Sequence, residues 1–170
     1  GQCRDAVVTD FDGDNKPDIV AAFWGPTSSV RIWRGDGRGG WWAYPTSPQV
    51  KQGIWSVGVA DVDKDGLKDL LVALYPNRGV SVIRNKGEDG WEKPRSIFKR
   101  GNFWKIWVGD LNGNGQLDLV GSSHTGAGIQ WWQEDGSWQI QDVGLPIRGD
   151  FYGFRIGDLN GDGTPEIVAA

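Results

Sequence analysis

The chain has 170 residues, a formal net charge of −4, 27 glycines and 11 tryptophans, but one histidine, no methionine and a single cysteine, Cys3. A single cysteine excludes an intrachain disulfide, and so few cysteines and histidines exclude a Cys/His zinc site. The composition also argues against nucleic acid binding, because no basic stripe is present, and against membrane insertion, because no apolar run is long enough to span a bilayer.

The length suits one domain with a substantial core, and within it one pattern of elements recurs at intervals of 51, 49 and 48 residues. Such a period is typical of an array of supersecondary units. Each unit begins with an alternating segment, continues through an acidic loop into an apolar run, and then adds two further segments separated by turns. The predicted units are approximately residues 4–51, 52–101, 102–149 and, truncated after its second segment, 150–170.

The segments on both sides of each acidic loop have the character of strands. Those before the loops alternate between apolar and other residues (AVVTD, SVGVAD, KIWVGD, GFRIGD), and those after them are apolar runs (DIVAAF, DLLVAL, DLVGSS, EIVAA). The third segments read VRIWR, VSVIR and IQWWQ, the fourth are less clear, and no segment keeps a helical period. Four short strands per unit predict an all-β fold, a β-propeller of four-stranded antiparallel blades with about three and a half blades in this chain.

The acidic loops themselves indicate a metal site. They read DFDGDNKPD, DVDKDGLKD, DLNGNGQLD and DLNGDGTPE, with oxygen-bearing side chains at positions 1, 3, 5 and 9. This is the odd-position ligand pattern of a calcium loop, in which the carbonyl of position 7 adds a further ligand. The predicted ligands are Asp10, Asp12, Asp14, Lys16 and Asp18; Asp61, Asp63, Asp65, Leu67 and Asp69; Asp110, Asn112, Asn114, Gln116 and Asp118; and Asp158, Asn160, Asp162, Thr164 and Glu166.

These loops differ from an EF-hand, which ends in a glutamate at position 12 and lies between two helices. Here position 9 leads directly into a strand, so each loop is a hairpin connection. The alternative interpretation is an acidic turn that holds no metal, and it is strongest for the third loop, which has only two carboxylates. Four copies in register nevertheless favour calcium, with up to four ions per chain.

The loop and the four-strand unit together resemble the FG-GAP or VCBS repeat, which is known from integrin α-chain propellers, fungal integrin-like lectins and many bacterial secreted proteins. The resemblance covers nearly the whole chain, and the loop is its most specific part. It implies a propeller with calcium held between the first and second strands of each blade. The Phe-Gly and Gly-Ala-Pro signature is degenerate here, with FWGPTS (residues 23–28) and HTGAG (residues 124–128) as loose echoes.

Aromatic residues provide a second signal. Trp55 and Trp104 recur at equivalent positions, as do Trp91 and Trp138, and we expect all four to fill space between blades. A different set falls six positions after the last loop ligand, at the end of the second strand, where it could stack on sugar rings or pack against a partner protein. This candidate ligand-binding set is Trp24, Tyr75 and His124.

The leading functional expectation is a non-catalytic, secreted, extracellular module that binds calcium and serves in binding or self-assembly. The last unit stops at Ala170, so the chain is expected to be part of a longer propeller, a small ring with a reduced last blade, or a propeller completed by copies of itself. The alternatives are a carbohydrate-binding lectin that uses exposed aromatic residues and a part of a secreted polysaccharide-degrading enzyme such as a lyase. Against an enzyme, no acid–base pair stands apart from the loops.

Overall fold

The structure is a computed structural model that describes residues 1–26, 28–123, 128–134, 138–141, 149 and 151–170. In these residues the fold is all-β, with 14 strands and a single 3₁₀ turn at Gly87–Asp89 as the only helical element. Within the same residues no helix has the length and apolar character needed to cross a bilayer.

The strands form three four-stranded antiparallel sheets and one two-stranded hairpin, each ordered as in the chain. The first sheet contains β1 (Gln2–Thr9), β2 (Asp18–Trp24), β3 (Ser29–Gly35) and β4 (Trp41–Ala43). The second contains β5 (Gly53–Ala60), β6 (Asp69–Tyr75), β7 (Val80–Ile83) and β8 (Arg95–Phe98). The third contains β9 (Phe103–Gly109), β10 (Asp118–Ser123), β11 (Ile129–Glu134) and β12 (Trp138–Gln141), and the hairpin contains β13 (Phe154–Gly157) and β14 (Glu166–Ala169). The predicted all-β fold with four-stranded antiparallel sheets is confirmed.

The acidic loops are the hairpin connections between the first and second strands, as the sequence predicts. In the first sheet Thr9 pairs with Asp18 at the loop end, and Gln2 pairs with Trp24 at the other end. The same register joins Ala60 to Asp69. Each loop therefore lies at one end of its sheet, and in the first two sheets the aromatic residue that closes the second strand, Trp24 or Tyr75, lies at the opposite end.

The sheets pack against one another in chain order, and this packing explains the apolar runs of the second strands. Leu70 and Val72 of β6 belong to a core shared with the first sheet, whereas Leu71 and Ala73 belong to a core shared with the third sheet. All four side chains are fully buried. A strand buried on both faces needs apolar residues at every position, because successive side chains point to opposite faces.

The tryptophans contribute to the contacts between sheets. Trp131 and Trp132 are adjacent in β11, so they point to opposite faces. Trp132 packs beside Phe103 in the core between the second and third sheets, and Trp131 packs against the core between the third sheet and the hairpin. Trp55 and Trp104 meet edge to face, with ring centroids 4.2 Å apart, across the second and third sheets.

A polar network joins the first strands of three sheets. Lys105 Nζ of β9 lies 2.6 Å from Asp5 Oδ1 of β1, and the Ser56 hydroxyl of β5 donates a hydrogen bond to Asp5 Oδ2. Ser56 Oγ in turn accepts the backbone N–H of Ile106 at 3.0 Å. Asp5, Ser56 and Lys105 each stand five positions before the first aspartate of their loop, so equivalent positions of three repeats meet in one network.

Candidate metal centres in the strand connections

The first aspartate of each loop fixes the curl of the backbone. Asp10 accepts hydrogen bonds from Gly13 N at 2.8 Å and Asn15 N at 2.9 Å. Asp158 accepts corresponding bonds from Gly161 N and Gly163 N. Gly13 has a φ of +83°, which a glycine adopts without strain. The first carboxylate thus closes its own loop by accepting N–H groups three and five residues further along the chain, much as an aspartate does in an Asx turn.

The ninth position connects each of the first two loops to the backbone at the end of the third strand of its own sheet, at the last residue of β3 and two residues beyond β7. Asp18 is almost fully buried and accepts Phe11 N at 2.8 Å and Gly35 N at 2.9 Å. Asp69 is buried in the same way and accepts Val62 N at 2.9 Å and Asn85 N at 2.8 Å. These carboxylates hold three consecutive strands together at the loop end, a role that the ligand pattern alone does not reveal.

Two loops bring three carboxylates together. Oxygen atoms of Asp10, Asp12 and Asp18 lie within 4.8 Å of one another in the first loop, and those of Asp61, Asp63 and Asp65 do so in the second. Asp14 stands apart from the first group and pairs with Lys16 Nζ at 2.9 Å. In the part of the chain that the structure describes, no other loop gathers three carboxylates this closely.

The third and fourth loops are held mainly by amides and backbone N–H groups. Asp110 accepts Gly113 N at 2.7 Å and Gly115 N at 2.8 Å, and the only carboxylates of its loop are Asp110 and Asp118. In the fourth loop Asn160 Nδ2 donates to Asp162 Oδ2 at 3.0 Å and to Glu166 Oε1 at 3.1 Å. An amide nitrogen therefore lies between Asp162 and Glu166, two of the three carboxylates of that loop.

The seventh positions share one backbone contact in all four loops. Each donates its N–H to the side-chain oxygen of position 5, at 2.8 to 2.9 Å. The residues concerned are Lys16, Leu67, Gln116 and Thr164, with Asp14, Asp65, Asn114 and Asp162 as the acceptors. This contact orients the fifth side chain of every loop in the same way.

The electrostatics of the loops differ. Burial raises the pKa of Asp69 above its ordinary value, and the charges of Asp63 and Asp65 add to the rise, although two backbone hydrogen bonds oppose it. In the fourth loop the N–H of Gly163 is the main cause that lowers the pKa of Asp158. The crowded second loop thus disfavours a full set of negative charges, which a cation among them would relieve.

Two arginines at the end of the third strands were missed by sequence reasoning. Arg34 forms ion pairs with Asp12 and, at 3.7 Å, with Asp14, and Arg84 Nε lies 3.3 Å from Asp63 Oδ2. The signal was present, because the third strands end in arginine (VRIWR, VSVIR) where position 3 of the loop is aspartate.

The third repeat carries neither member of this ion pair. Its third strand reads IQWWQ, and Gln133 lies opposite Asp118 in the strand register, while position 3 of the loop is Asn112. The first two repeats thus have an aspartate at position 3 and an arginine at the end of the third strand, and the third repeat has neutral residues at both places.

The donor sets fit calcium. Every side chain at positions 1, 3, 5 and 9 carries at least one oxygen atom, and oxygen is the ligand type that this hard cation takes. Asp12 Oδ2 is buried without a hydrogen bond, with the Arg34 guanidinium as its charged neighbour. Position-9 carboxylates that accept backbone N–H groups keep further lone pairs available, because each carboxylate has about four acceptor sites.

The aromatic set lies at the other end of the sheets. The Arg4 guanidinium lies 4.4 Å from the ring centroid of Trp55 and 5.1 Å from that of Trp24. Tyr75 meets Trp55 edge to face at 5.4 Å. Trp24 and Tyr75 thus belong to one aromatic cluster, whereas His124 lies outside the described residues.

Comparison with known proteins agrees with the repeat pattern. The sequence profile of the family described as "FG-GAP-like repeat" matches residues 10–72 and 110–169. Both matched segments begin at the first aspartate of a loop and include the strands that follow it. No curated protein sequence matches the chain.

Proposed function

Because the chain belongs to the FG-GAP-like repeat family, we propose that it is a non-catalytic, extracellular, calcium-binding β-propeller module that serves in binding or self-assembly. The observation that carries this proposal is the gathering of three carboxylates in each of the first two loops. The packing of successive sheets through shared cores supports the propeller arrangement. An extracellular setting suits loops of modest affinity, since calcium there is near millimolar.

Calcium, when bound, would supply positive charge and oxygen coordination among carboxylates that otherwise repel one another. The chain's own residues prepare the loops for this role. The first aspartates hold the loops curled, and the ninth connect the loops to the third strands, as Asp18 does through Gly35 N. Stiffening a loop therefore stabilises three strands of its sheet at once.

Thermal unfolding tests the calcium assignment. Anything that binds only the folded state stabilises it by mass action, about 2.7 kcal/mol for one site at a concentration 100 times the Kd. EDTA should therefore lower the Tm of the chain markedly, and excess calcium should restore it. A melting curve that is the same in EDTA and in calcium would contradict the proposal.

The non-catalytic part of the proposal is supported by the roles that the clustered carboxylates already have. Asp18 and Asp69 are buried and accept backbone N–H groups from two segments each, which is a structural role. We expect no turnover of polyuronides by the purified chain. Turnover that survives purification and is abolished by a single mutation outside the loops would overturn this part.

Carbohydrate binding through aromatic residues is the second candidate function. Trp24 is 36% exposed and lies in the aromatic cluster at the end of the sheets away from the loops. Aromatic faces of this kind stack on apolar faces of ligands. A neutral-glycan array comparing the wild-type chain with Trp24→Ala tests it, and identical binding patterns would exclude a role for this cluster.

A further inference from the structure

A basic groove lies beside the second sheet, away from the acidic loops. It has a volume of about 530 Å³ and is lined by residues of the 49–52 segment, which joins the first two sheets, and by residues on and beside β7 and β8. Its floor includes Ser81 of β7 and Ser96 of β8. The volume lies in the range of small-ligand sites, roughly 300–1,000 Å³.

The groove collects positive charge in a chain that is acidic overall. Among the ten described residues that line it, four are cations, Lys51, Arg78, Lys93 and Lys99, and none is an acid. None of these four cations forms an ion pair with a carboxylate in the described part of the chain. Their charges are therefore free to meet a negatively charged ligand.

The backbone that carries these cations is held in place on both sides. On one side Gln49 bridges to Ser29, and the buried Val50 anchors the segment that presents Lys51. On the other side Gly101 N donates to Asn77 Oδ1 at 2.9 Å, and Gly79 N donates to Gly101 O at 3.1 Å. These bonds tie the turn that contains Arg78 to the segment after Lys99, so less ordering is needed when a ligand binds.

The remaining lining residues restrict the kind of ligand. They are two glutamines, two serines, Leu74 and Pro94, and none is aromatic. Single-stranded nucleic acid is held by stacking on aromatic residues, and protein partners need apolar or aromatic anchors. No described lining residue offers an aromatic ring for stacking, and Leu74 and Pro94 are the only apolar side chains among them. Amide and hydroxyl groups suit a ligand rich in hydroxyls, and the cations suit carboxylate or sulfate.

The groove beside the first sheet differs in both size and charge. It has a volume of about 350 Å³ and one cation, Arg31, among its lining residues. The Arg31 guanidinium already lies over the Phe23 ring, 4.9 Å from its centroid. The basic groove is thus a property of the second repeat and does not follow from the repeated strand pattern.

We propose that the basic groove binds an acidic saccharide, a sugar chain that carries carboxylate or sulfate groups. The cations pair with the charged groups, and the glutamines and serines exchange hydrogen bonds with the hydroxyls. The proposal names a ligand class for the binding role proposed above and rests on that role. It does not rest on the calcium loops, so the EDTA melting experiment can fail while this assignment stands.

Isothermal titration calorimetry tests the groove. The probes are tetragalacturonate, its fully methyl-esterified form, a sulfated tetrasaccharide from heparin, and inorganic sulfate. The proteins are the wild-type chain, the groove variant Arg78→Gln/Lys99→Gln, and Lys86→Gln as the control. Lys86 is exposed on the same sheet outside the groove, and circular dichroism verifies that each variant is folded.

We expect at least one acidic tetrasaccharide to bind the wild-type chain and the methyl ester to bind much more weakly. The groove variant should lose about tenfold in affinity, since charge-assisted hydrogen bonds are the strong ones, and Lys86→Gln should stay within about twofold. Preference for the galacturonate or for the sulfated probe identifies the anionic group. Three results would each overturn the assignment. They are equal affinity for tetragalacturonate and its methyl ester, unchanged affinity of the groove variant, and binding of inorganic sulfate as tight as that of a saccharide.

Discussion

The aspartates of the loops differ in what they do for the fold. Asp10 and Asp158 curl their own loops, whereas Asp18 and Asp69 bond to the backbone at or just beyond the end of the third strand. A ligand substitution therefore removes both a metal contact and a backbone contact. Variants are best compared at the same loop position, because side chains at position 1 accept N–H groups of their own loop in each case, and measuring each variant with and without calcium isolates the contribution of the metal.

Position 1 offers such a comparison between the second and third loops. Asp61→Ala should lower the Tm in calcium more than Asp110→Ala does, because the second loop has four carboxylates and the third has two. The difference in Tm between the two variants should be smaller in EDTA than in calcium. Asp89→Ala, in the 3₁₀ turn outside the loops, serves as the control. Equal shifts for Asp61→Ala and Asp110→Ala in calcium would refute this ranking.

In the calcium-free chain, Asp69 of the second loop and Asp158 of the fourth loop should affect the free energy of unfolding in opposite ways as the pH falls. Burial and neighbouring charges raise the pKa of Asp69 above 3.8, so the folded state takes up this proton more readily than the unfolded state. Asp69 therefore favours folding increasingly as the pH falls through its raised pKa. The lowered pKa of Asp158 has the opposite effect, a stabilisation present above 3.8 and lost as the pH falls through the folded pKa.

Carboxyl carbon chemical shifts measured by NMR in EDTA test these directions. Asp69 should titrate with a midpoint above 3.8 and Asp158 with a midpoint below it. The reverse order would contradict the account of both loops.

Residue types and spacing predict a set of oxygen-bearing side chains in each loop that could meet a cation, because odd positions of a curled loop share one side. They could not predict which carboxylates gather. Asp14 is drawn away by Lys16, and Asp12 is held by Arg34 from another strand. Such contacts depend on how the third strand lies against the loop, which the loop sequence does not contain.

At the scale of the strands, alternation and turn residues predicted the first three strands of the three complete units and both strands of the last unit. The fourth strands were less clear because they are short edges, and β4 has three residues, all exposed. An edge strand with both faces exposed shows no apolar period for the sequence to reveal.

The links between sheets could not be predicted from local pattern. Asp5 and Lys105 are 100 residues apart, and the only sequence signal is their equivalent place in the repeats. Their ion pair connects the first strand of the first sheet to that of the third, and both side chains are largely buried.

Asp5→Asn should destabilise the chain by about 3 kcal/mol, because it leaves the charge of Lys105 largely buried without its partner. Chemical denaturation in calcium measures the change in the free energy of unfolding. Lys86→Ala is the control, since Lys86 is exposed between β7 and β8 and lies outside the loops, and it should have little effect. A similar small effect for both variants would mean that the network does not join the sheets energetically.

At the scale of the molecule, the two outer faces of the stacked sheets expose apolar side chains whose equivalents on the inner faces are buried. Val168 of β14 is 50% exposed, whereas its equivalents Val20, Leu71 and Val120 are fully buried. On the other outer face Val8 of β1 is 66% exposed, and its equivalent Val108 is buried. The repeat positions that hold sheets together are thus exposed on both outer faces, and such faces and edges promote association.

We expect the 170-residue polypeptide to associate in solution through these faces. Light scattering in calcium should give a mass above that of the monomer, and the mass should fall towards the monomer for Val168→Glu, which places a charge on the exposed face of β14. Lys86→Glu, on an exposed turn of the second sheet, should leave the mass unchanged. Head-to-tail contact between the two faces either closes a ring or propagates as a filament, depending on the rotation per copy. A stable monomer at high concentration would show that these faces do not recruit a second copy.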